Sequence, residues 1–85
     1  MELTASNFTI LSHGKWRIVF WVPWGNPSFQ QLTISKKEKS NYNLIFCNVE
    51  ENIDIAQQFN VFFYPTTIFI INGTEQRRIV GLFKK

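Results

Sequence analysis

The turn that follows Trp24 combines features that often occur at reactive sites. An apolar run over residues 18–22 leads into it, and the small polar residues Gly25-Asn26-Pro27-Ser28 come directly before a segment of helical character. A strand that ends beside a helix N-terminus leaves backbone N–H groups free to bind a ligand or to stabilise negative charge. The first question is therefore whether a side chain near this turn can act as a nucleophile.

Three side chains are candidates for such chemistry. Ser28 would need an activating base, but the single histidine, His13, falls in a distant helix. Cys47 is the one cysteine, so the chain alone forms neither a disulfide nor a thiolate metal site. Its place within the apolar run 44–49 predicts a buried and inert thiol. The sequence therefore predicts no catalytic residue, no metal and no cofactor.

Length and charge narrow the class of protein further. Eighty-five residues, 45% of them hydrophobic and 18% charged, indicate one small globular domain over residues 1–85. The formal charge of +3 comes from short lysine and arginine runs that predict a solvated surface and no nucleic-acid partner. The N-terminus is too polar for a signal peptide, and no apolar run approaches the ~20 residues of a membrane span. We expect no membrane association and a cytoplasmic protein, or one of the endoplasmic reticulum lumen if this is an excised domain.

The pattern of apolar residues predicts the α/β class with a mixed sheet. A short first helix is expected to stop near Gly14, and the Asn72-Gly73 pair predicts a hairpin with a type I′ turn. Another short helix is predicted over residues 50–59, where Ile53, Ala56 and Phe59 recur at three-residue spacing. The predicted strands cover residues 16–22, 43–49, 66–71 and 76–80, and the later helices cover 27–39 and 50–59.

This order of elements, taken with several local motifs, resembles the thioredoxin fold and looks most similar to its protein disulfide isomerase branch. The resemblance implies a mixed central sheet flanked by helices. The supporting residues, in chain order, are Glu2-Leu3-Thr4, Asn7-Phe8, Phe20 to Trp24, Phe59-Asn60-Val61, Tyr64-Pro65-Thr66, Asn72-Gly73 and Gly81.

The resemblance also identifies what this turn lacks. In that family the turn carries Trp-Cys-x-x-Cys, whose first cysteine attacks a substrate disulfide and is then released by the second. These positions correspond to Gly25 and Ser28, and neither has a thiol. The family's buried carboxylate corresponds to Val19, and its neighbouring lysine to Phe46. The resemblance therefore predicts a redox-inactive domain that is not an enzyme.

A binding role remains on this scaffold, since Pro65 matches the family's cis-proline, which pairs with extended peptides. The predicted function is an adaptor or chaperone-like module for a protein or peptide partner. The alternative is a thiol–disulfide oxidoreductase-related protein that works through Cys47 or through a partner's cysteine. The candidate peptide-binding residues are Trp24, Gly25, Asn26, Pro27, Ser28, Tyr64, Pro65 and Thr66.

The C-terminal end departs from the family pattern. Family members continue past the glycine matched by Gly81 into a final helix, whereas this sequence stops at Lys85. The strand that contains residues 68–71 would then lose cover on one face and present an apolar patch. We expect a partner, a missing segment or the second copy of a homodimer to cover that face.

Overall fold

Strands and helices alternate along the chain. The computed structural model describes residues 1–24, 26–37 and 40–82, and for residues 26–29 only the backbone is described. After a 3-10 helix, Phe8–Ser12, the elements are β1 (Lys15–Trp21), α1 (Asn26–Lys37), β2 (Asn43–Asn48), α2 (Ile53–Gln58), β3 (Thr66–Ile71) and β4 (Thr74–Val80).

The four strands form one mixed sheet in the order β2-β1-β3-β4. β1 is parallel to β2 and antiparallel to β3, and β3 is antiparallel to β4. Next to β2, Glu2 forms an isolated parallel bridge with Phe46, and the Leu3 amide donates to the Phe46 carbonyl at 2.7 Å. The predicted α/β class with a mixed sheet and flanking helices is confirmed.

β1 lies at the centre of the sheet and is buried on both faces. Five consecutive residues, from Trp16 to Phe20, are buried, which agrees with a continuous apolar run. On one face the core includes Leu11 from the 3-10 helix together with Ile55 and Ala56 from α2. The other face is covered by α1, which packs against β1 and β2.

The layer between α1 and β1 contains polar side chains. Arg17, Gln31 and Ser35 are all buried. The Arg17 guanidinium donates to the Ser35 carbonyl at 3.2 Å, and the Gln31 amide donates to the Ser35 hydroxyl at 3.2 Å. These bonds supply partners for polar groups whose burial would otherwise be costly.

Two predicted helices differ in detail from those observed. The first is a 3-10 helix, and α2 begins at Ile53 rather than at residue 50. Asn48 accounts for the later start, because its side chain accepts from the Glu50 amide at 3.1 Å and holds residues 49–52 in turns. Of the residues noted for their three-residue spacing, Ala56 is buried but Ile53 is 48% exposed, and Ile55 is buried in addition. α1 agrees with its prediction to Lys37, and its expected end at 38–39 lies outside the described residues.

The β3–β4 hairpin forms at the predicted Asn-Gly pair. Asn72 and Gly73 have φ angles of 49° and 83°, as a type I′ turn requires. The Asn72 side chain accepts from the Gly14 amide at 2.7 Å, and the Asn72 amide donates to the Gly14 carbonyl at 2.8 Å. These two bonds attach the hairpin to the loop before β1.

The predicted apolar patch on β3 is wrong for most of the strand. Phe69 is 5% exposed, and Ile68 and Ile70 are buried, although within the described residues no helix follows β4. The Arg77 guanidinium lies 4.4 Å from the centre of the Phe69 ring, and the Tyr42 ring meets it edge-on at 5.1 Å. A cation and a second ring therefore cover this part of the face.

Phe69→Ala tests this burial against Phe62→Ala, because Phe62 is 69% exposed. We expect the Phe69 variant to lose about 3 kcal/mol of unfolding free energy, since it leaves a cavity. The Phe62 variant should change that free energy by less than about 0.5 kcal/mol. Urea unfolding followed by circular dichroism gives both values. Similar small losses in the two variants would show that Phe69 is a surface residue.

Candidate functional site

The last residues of β1 and the first residues of β3 lie at the same end of the sheet. The two strands are antiparallel, with Phe20 opposite Thr66. Residues 22–24 and the segment 61–65 therefore leave the sheet side by side, and α1 begins directly after residues 22–24. We call this region the candidate groove. It brings together two parts of the sequence that are about forty residues apart.

Trp24 is the most exposed side chain on the β1 side of the candidate groove, at 72%. Asn26, Pro27 and Ser28 form the first turn of α1, where backbone N–H groups have no partner within the helix. Their side chains, and Gly25 as a whole, lie outside the described residues. The described part of this side therefore presents an aromatic surface next to a helix N-terminus.

Tyr64, Pro65 and Thr66 lie on the other side of the candidate groove. The Tyr64–Pro65 peptide bond is cis, and Tyr64 is half-buried. The buried Pro65 accepts from the Gly81 amide at 2.7 Å through its carbonyl. The Thr66 side chain is buried and donates to the Phe63 carbonyl at 2.5 Å. The Thr66 hydroxyl is therefore occupied within the fold, and Thr66 itself lies in β3 opposite Phe20 and Val80.

Two further aromatic residues belong to the candidate groove and were not among the predicted site residues. Phe62 and Phe63 are 69% and 68% exposed, although both lie in the apolar run Val61-Phe62-Phe63-Tyr64. Only Val61 of the first three is buried. A short loop before Pro65 that contains more aromatic residues than it can bury was the available signal. Clustered exposed apolar groups often mark interaction sites.

The positions that match the family's buried carboxylate and its neighbouring lysine are occupied here by packed apolar side chains. Val19 on β1 lies directly opposite Phe46 on β2, and both are buried. The Lys36 ammonium lies 5.5 Å from the centre of the Phe46 ring. The register agrees with the assignment of these two residues to neighbouring strands.

Cys47 lies on β2 and is fully buried. Burial raises the pKa of its thiol to about 12, and the negative charge of Glu2 adds to the increase. The thiol therefore stays protonated at neutral pH, and only the thiolate is a nucleophile. The prediction of a buried thiol is confirmed.

Other reactive groups are dispersed in the described part of the chain. His13 is exposed, and no cluster of three or more His, Cys, Asp or Glu side chains is present among residues 1–24, 26–37 and 40–82. No helix within these ranges is long and apolar enough to cross a membrane.

Comparison with known proteins gives close agreement over most of the chain, although no protein-family model matches. Thioredoxin from Mycoplasma genitalium is 31% identical over 72 residues, which is 78% of this chain and 68% of that protein. Thioredoxin from Mycoplasma pneumoniae is 29% identical over 87 aligned positions, covering 99% and 79%. The crystal structure of Malassezia sympodialis thioredoxin superposes with a TM-score of 0.84 at 21% identity, covering 96% of this chain and 78% of that one.

The mixed sheet, its flanking helices and these matches define a thioredoxin-like protein. The chain belongs to the thioredoxin family. This corrects one prediction: the chain was expected not to be an enzyme, but the relatives are named thioredoxin, an oxidoreductase. None of these three relatives is named as a protein disulfide isomerase or as a protein of the endoplasmic reticulum, so those finer assignments gain no support.

The burial of Cys47 predicts slow alkylation of the folded protein by iodoacetamide. At pH 8 a thiol with a pKa of about 12 is almost entirely protonated, whereas the thiol of an unfolded chain has a pKa of about 8.5. We expect alkylation to be at least about a hundredfold slower in buffer than in guanidinium chloride. Mass spectrometry of quenched samples measures both rates. Comparable rates would place Cys47 in contact with solvent and return it to the set of candidate nucleophiles.

Proposed function

We propose that this chain takes part in thiol–disulfide exchange as an oxidoreductase-related, thioredoxin-like protein. In this proposal it holds a cysteine-bearing segment of another protein in the candidate groove, and bound partners supply the reacting sulfur atoms. The observation that carries the proposal is the 31% identity over 72 residues to a protein named thioredoxin.

The position of Cys47 favours a partner's cysteine over this chain's own thiol. In the exchange, a thiolate of one protein attacks a disulfide sulfur of the segment. A new S–S bond forms, the original S–S bond breaks, and the released sulfur leaves as a thiolate that takes a proton from water. Cys47 is the single cysteine and is buried and protonated, so it is poorly suited to either role.

The contribution of this chain would then be to orient the segment. Exposed aromatic side chains on both sides of the candidate groove, Trp24, Phe62 and Phe63, offer contact area to an extended peptide. Backbone pairing beside Pro65 would fix the register of such a peptide, in the manner of strand addition. Holding two reacting groups in a productive geometry can accelerate a reaction without a catalytic side chain.

The expected partners are therefore proteins or peptides that contain cysteine. A cytoplasmic location suits this role, since thiols stay reduced there and are available for exchange. The homodimer expected at the β3 face stays a prediction. At that face Arg77 and Tyr42 cover Phe69.

An insulin assay tests the proposal, with dithiothreitol as the thiol and insulin as the disulfide. We expect the wild-type chain to increase the reduction rate several-fold, because a held segment exposes its disulfide to attack. Trp24→Ala should lose most of this increase, and Trp24→Phe should retain it. Turbidity of the released insulin B chain reports the rate.

Cys47→Ser separates the two sources of sulfur in the same assay. Unchanged acceleration supports a partner's cysteine, whereas loss of acceleration in a folded variant assigns the chemistry to Cys47. If the wild-type chain gives no acceleration, the proposed function is wrong. Circular dichroism of each variant verifies that it is folded.

A further inference from the structure

β4 and the residue that follows it contact both ends of the segment 61–65. At the C-terminal end, the Gly81 amide donates to the Pro65 carbonyl at 2.7 Å. At the N-terminal end, the Arg78 guanidinium donates to the Phe59 carbonyl at 2.8 Å and to the Asn60 carbonyl at 3.2 Å. Arg78 and Gly81 therefore contact the chain at the two ends of this segment.

Glu75 orients the Arg78 guanidinium. Arg78 Nε and Nη2 donate to the two carboxylate oxygens of Glu75 at 2.7 and 2.6 Å, so the pair is bidentate. These hydrogen bonds hold the pKa of the Glu75 carboxyl below its ordinary value. Glu75 is therefore ionised at neutral pH, and the Arg78 guanidinium makes four hydrogen bonds, two to Glu75 and two to backbone carbonyls.

A β-bulge makes this pair possible. In a regular strand, residues three apart point to opposite faces of the sheet. In β4 the register shifts, so that Glu75 lies opposite Ile70, Arg78 lies opposite Ile68, and Gln76 is the extra residue. Ile68 and Ile70 share a face, and therefore Glu75 and Arg78 do too. Bulges of this kind often re-aim a side chain beside a functional site.

The carbonyls that Arg78 contacts lie where α2 ends. Phe59 is the C-cap of α2, and Asn60 has a φ of 56°, which turns the chain out of the helix. Carbonyl groups in the last turn have no partner within the helix and interact favourably with a cation. After this point only Val61 is buried before the exposed pair Phe62 and Phe63. The Val61 amide also donates to the Ala56 carbonyl at 2.9 Å, and the Thr66 hydroxyl donates to the Phe63 carbonyl, so the Arg78 contacts add to these bonds.

We propose that Arg78, oriented by Glu75, is a positioning residue that holds the segment 61–65 in its binding conformation without touching the bound peptide. Its effect on affinity rests on the proposed function, whereas its effect on the order of the segment does not. Lysine has three donors on a flexible stem and cannot reproduce the bidentate pair together with two carbonyl contacts.

Arg77 is a matched control. It is adjacent in β4, carries the same charge and faces the opposite side of the sheet, where its guanidinium lies over the Phe69 ring. Arg77→Gln removes a cation and destabilises the fold without disturbing the anchor at Phe59 and Asn60. If Arg78 contributed only to global stability, Arg78→Gln and Arg77→Gln would have the same effects.

Backbone 15N order parameters of the free protein test the anchor directly. In the wild type and in Arg77→Gln we expect values near 0.8 for Phe62 and Phe63, typical of a rigid backbone. In Arg78→Gln they should fall to about 0.6 or below, with Arg78→Lys in between, while the amides of β1 stay unchanged. Unchanged values for Phe62 and Phe63 in Arg78→Gln would overturn the proposal. If that variant does not fold, Glu75→Gln replaces it and should show the same loss of order to a smaller degree.

Affinity for the reduced and alkylated insulin B chain, measured by fluorescence anisotropy, gives the second readout. We expect Arg78→Gln to weaken binding about three- to tenfold and Arg77→Gln to leave it unchanged. Weaker binding with unchanged order parameters would overturn the positioning role. If the wild type does not bind the B chain, the peptide-binding part of the proposed function is wrong for this peptide. The order parameters then still decide whether Arg78 anchors the segment.

Discussion

The antiparallel pairing of β1 with β3 is the constraint on which the candidate groove depends. Because Phe20 lies opposite Thr66, Trp24 and the segment 61–65 must leave the sheet at the same end, next to the start of α1. The pairing is secure because β1 is buried on both faces and because one register alone places its apolar residues correctly. The position of the candidate groove is therefore a consequence of the central sheet, and loops alone do not define it.

Local signals in the sequence predicted most of the strands and the hairpin. Continuous apolar runs gave β1 and β2, and the Asn-Gly pair gave the turn, since each signal lies within a few residues. α2 was harder to predict from the sequence, because its start depends on the Asn48 side chain and its six residues are too few to show a clear helical period. The cover of Phe69 was not predictable either, because Tyr42 and Arg77 come from different parts of the chain.

The candidate groove shows the same division between local and distant information. Trp24 and Pro65 were identified through the resemblance to the thioredoxin fold, which matches Pro65 to the family's cis-proline. Phe62 and Phe63 were assigned to no site, because an apolar run normally indicates packing. Their exposure results from the length of the segment between α2 and β3, which buries Val61 and Pro65 but leaves the two rings outside. The Glu75–Arg78 pair was equally hidden, since the bulge that brings the two side chains together is visible only in the register.

Membership of the thioredoxin family and the position of Cys47 together constrain the chemistry of this chain. The family relation points to thiol–disulfide exchange, yet the one thiol is buried with its pKa raised to about 12. In the proposed function the sulfur atoms therefore come from bound proteins, and this chain contributes the geometry of the bound segment. Geometry is effective only if the binding surface is ordered before the partner arrives. The contacts of Arg78 and Gly81 at the two ends of the segment 61–65 suit this requirement, because they would order the aromatic side of the candidate groove without occupying it.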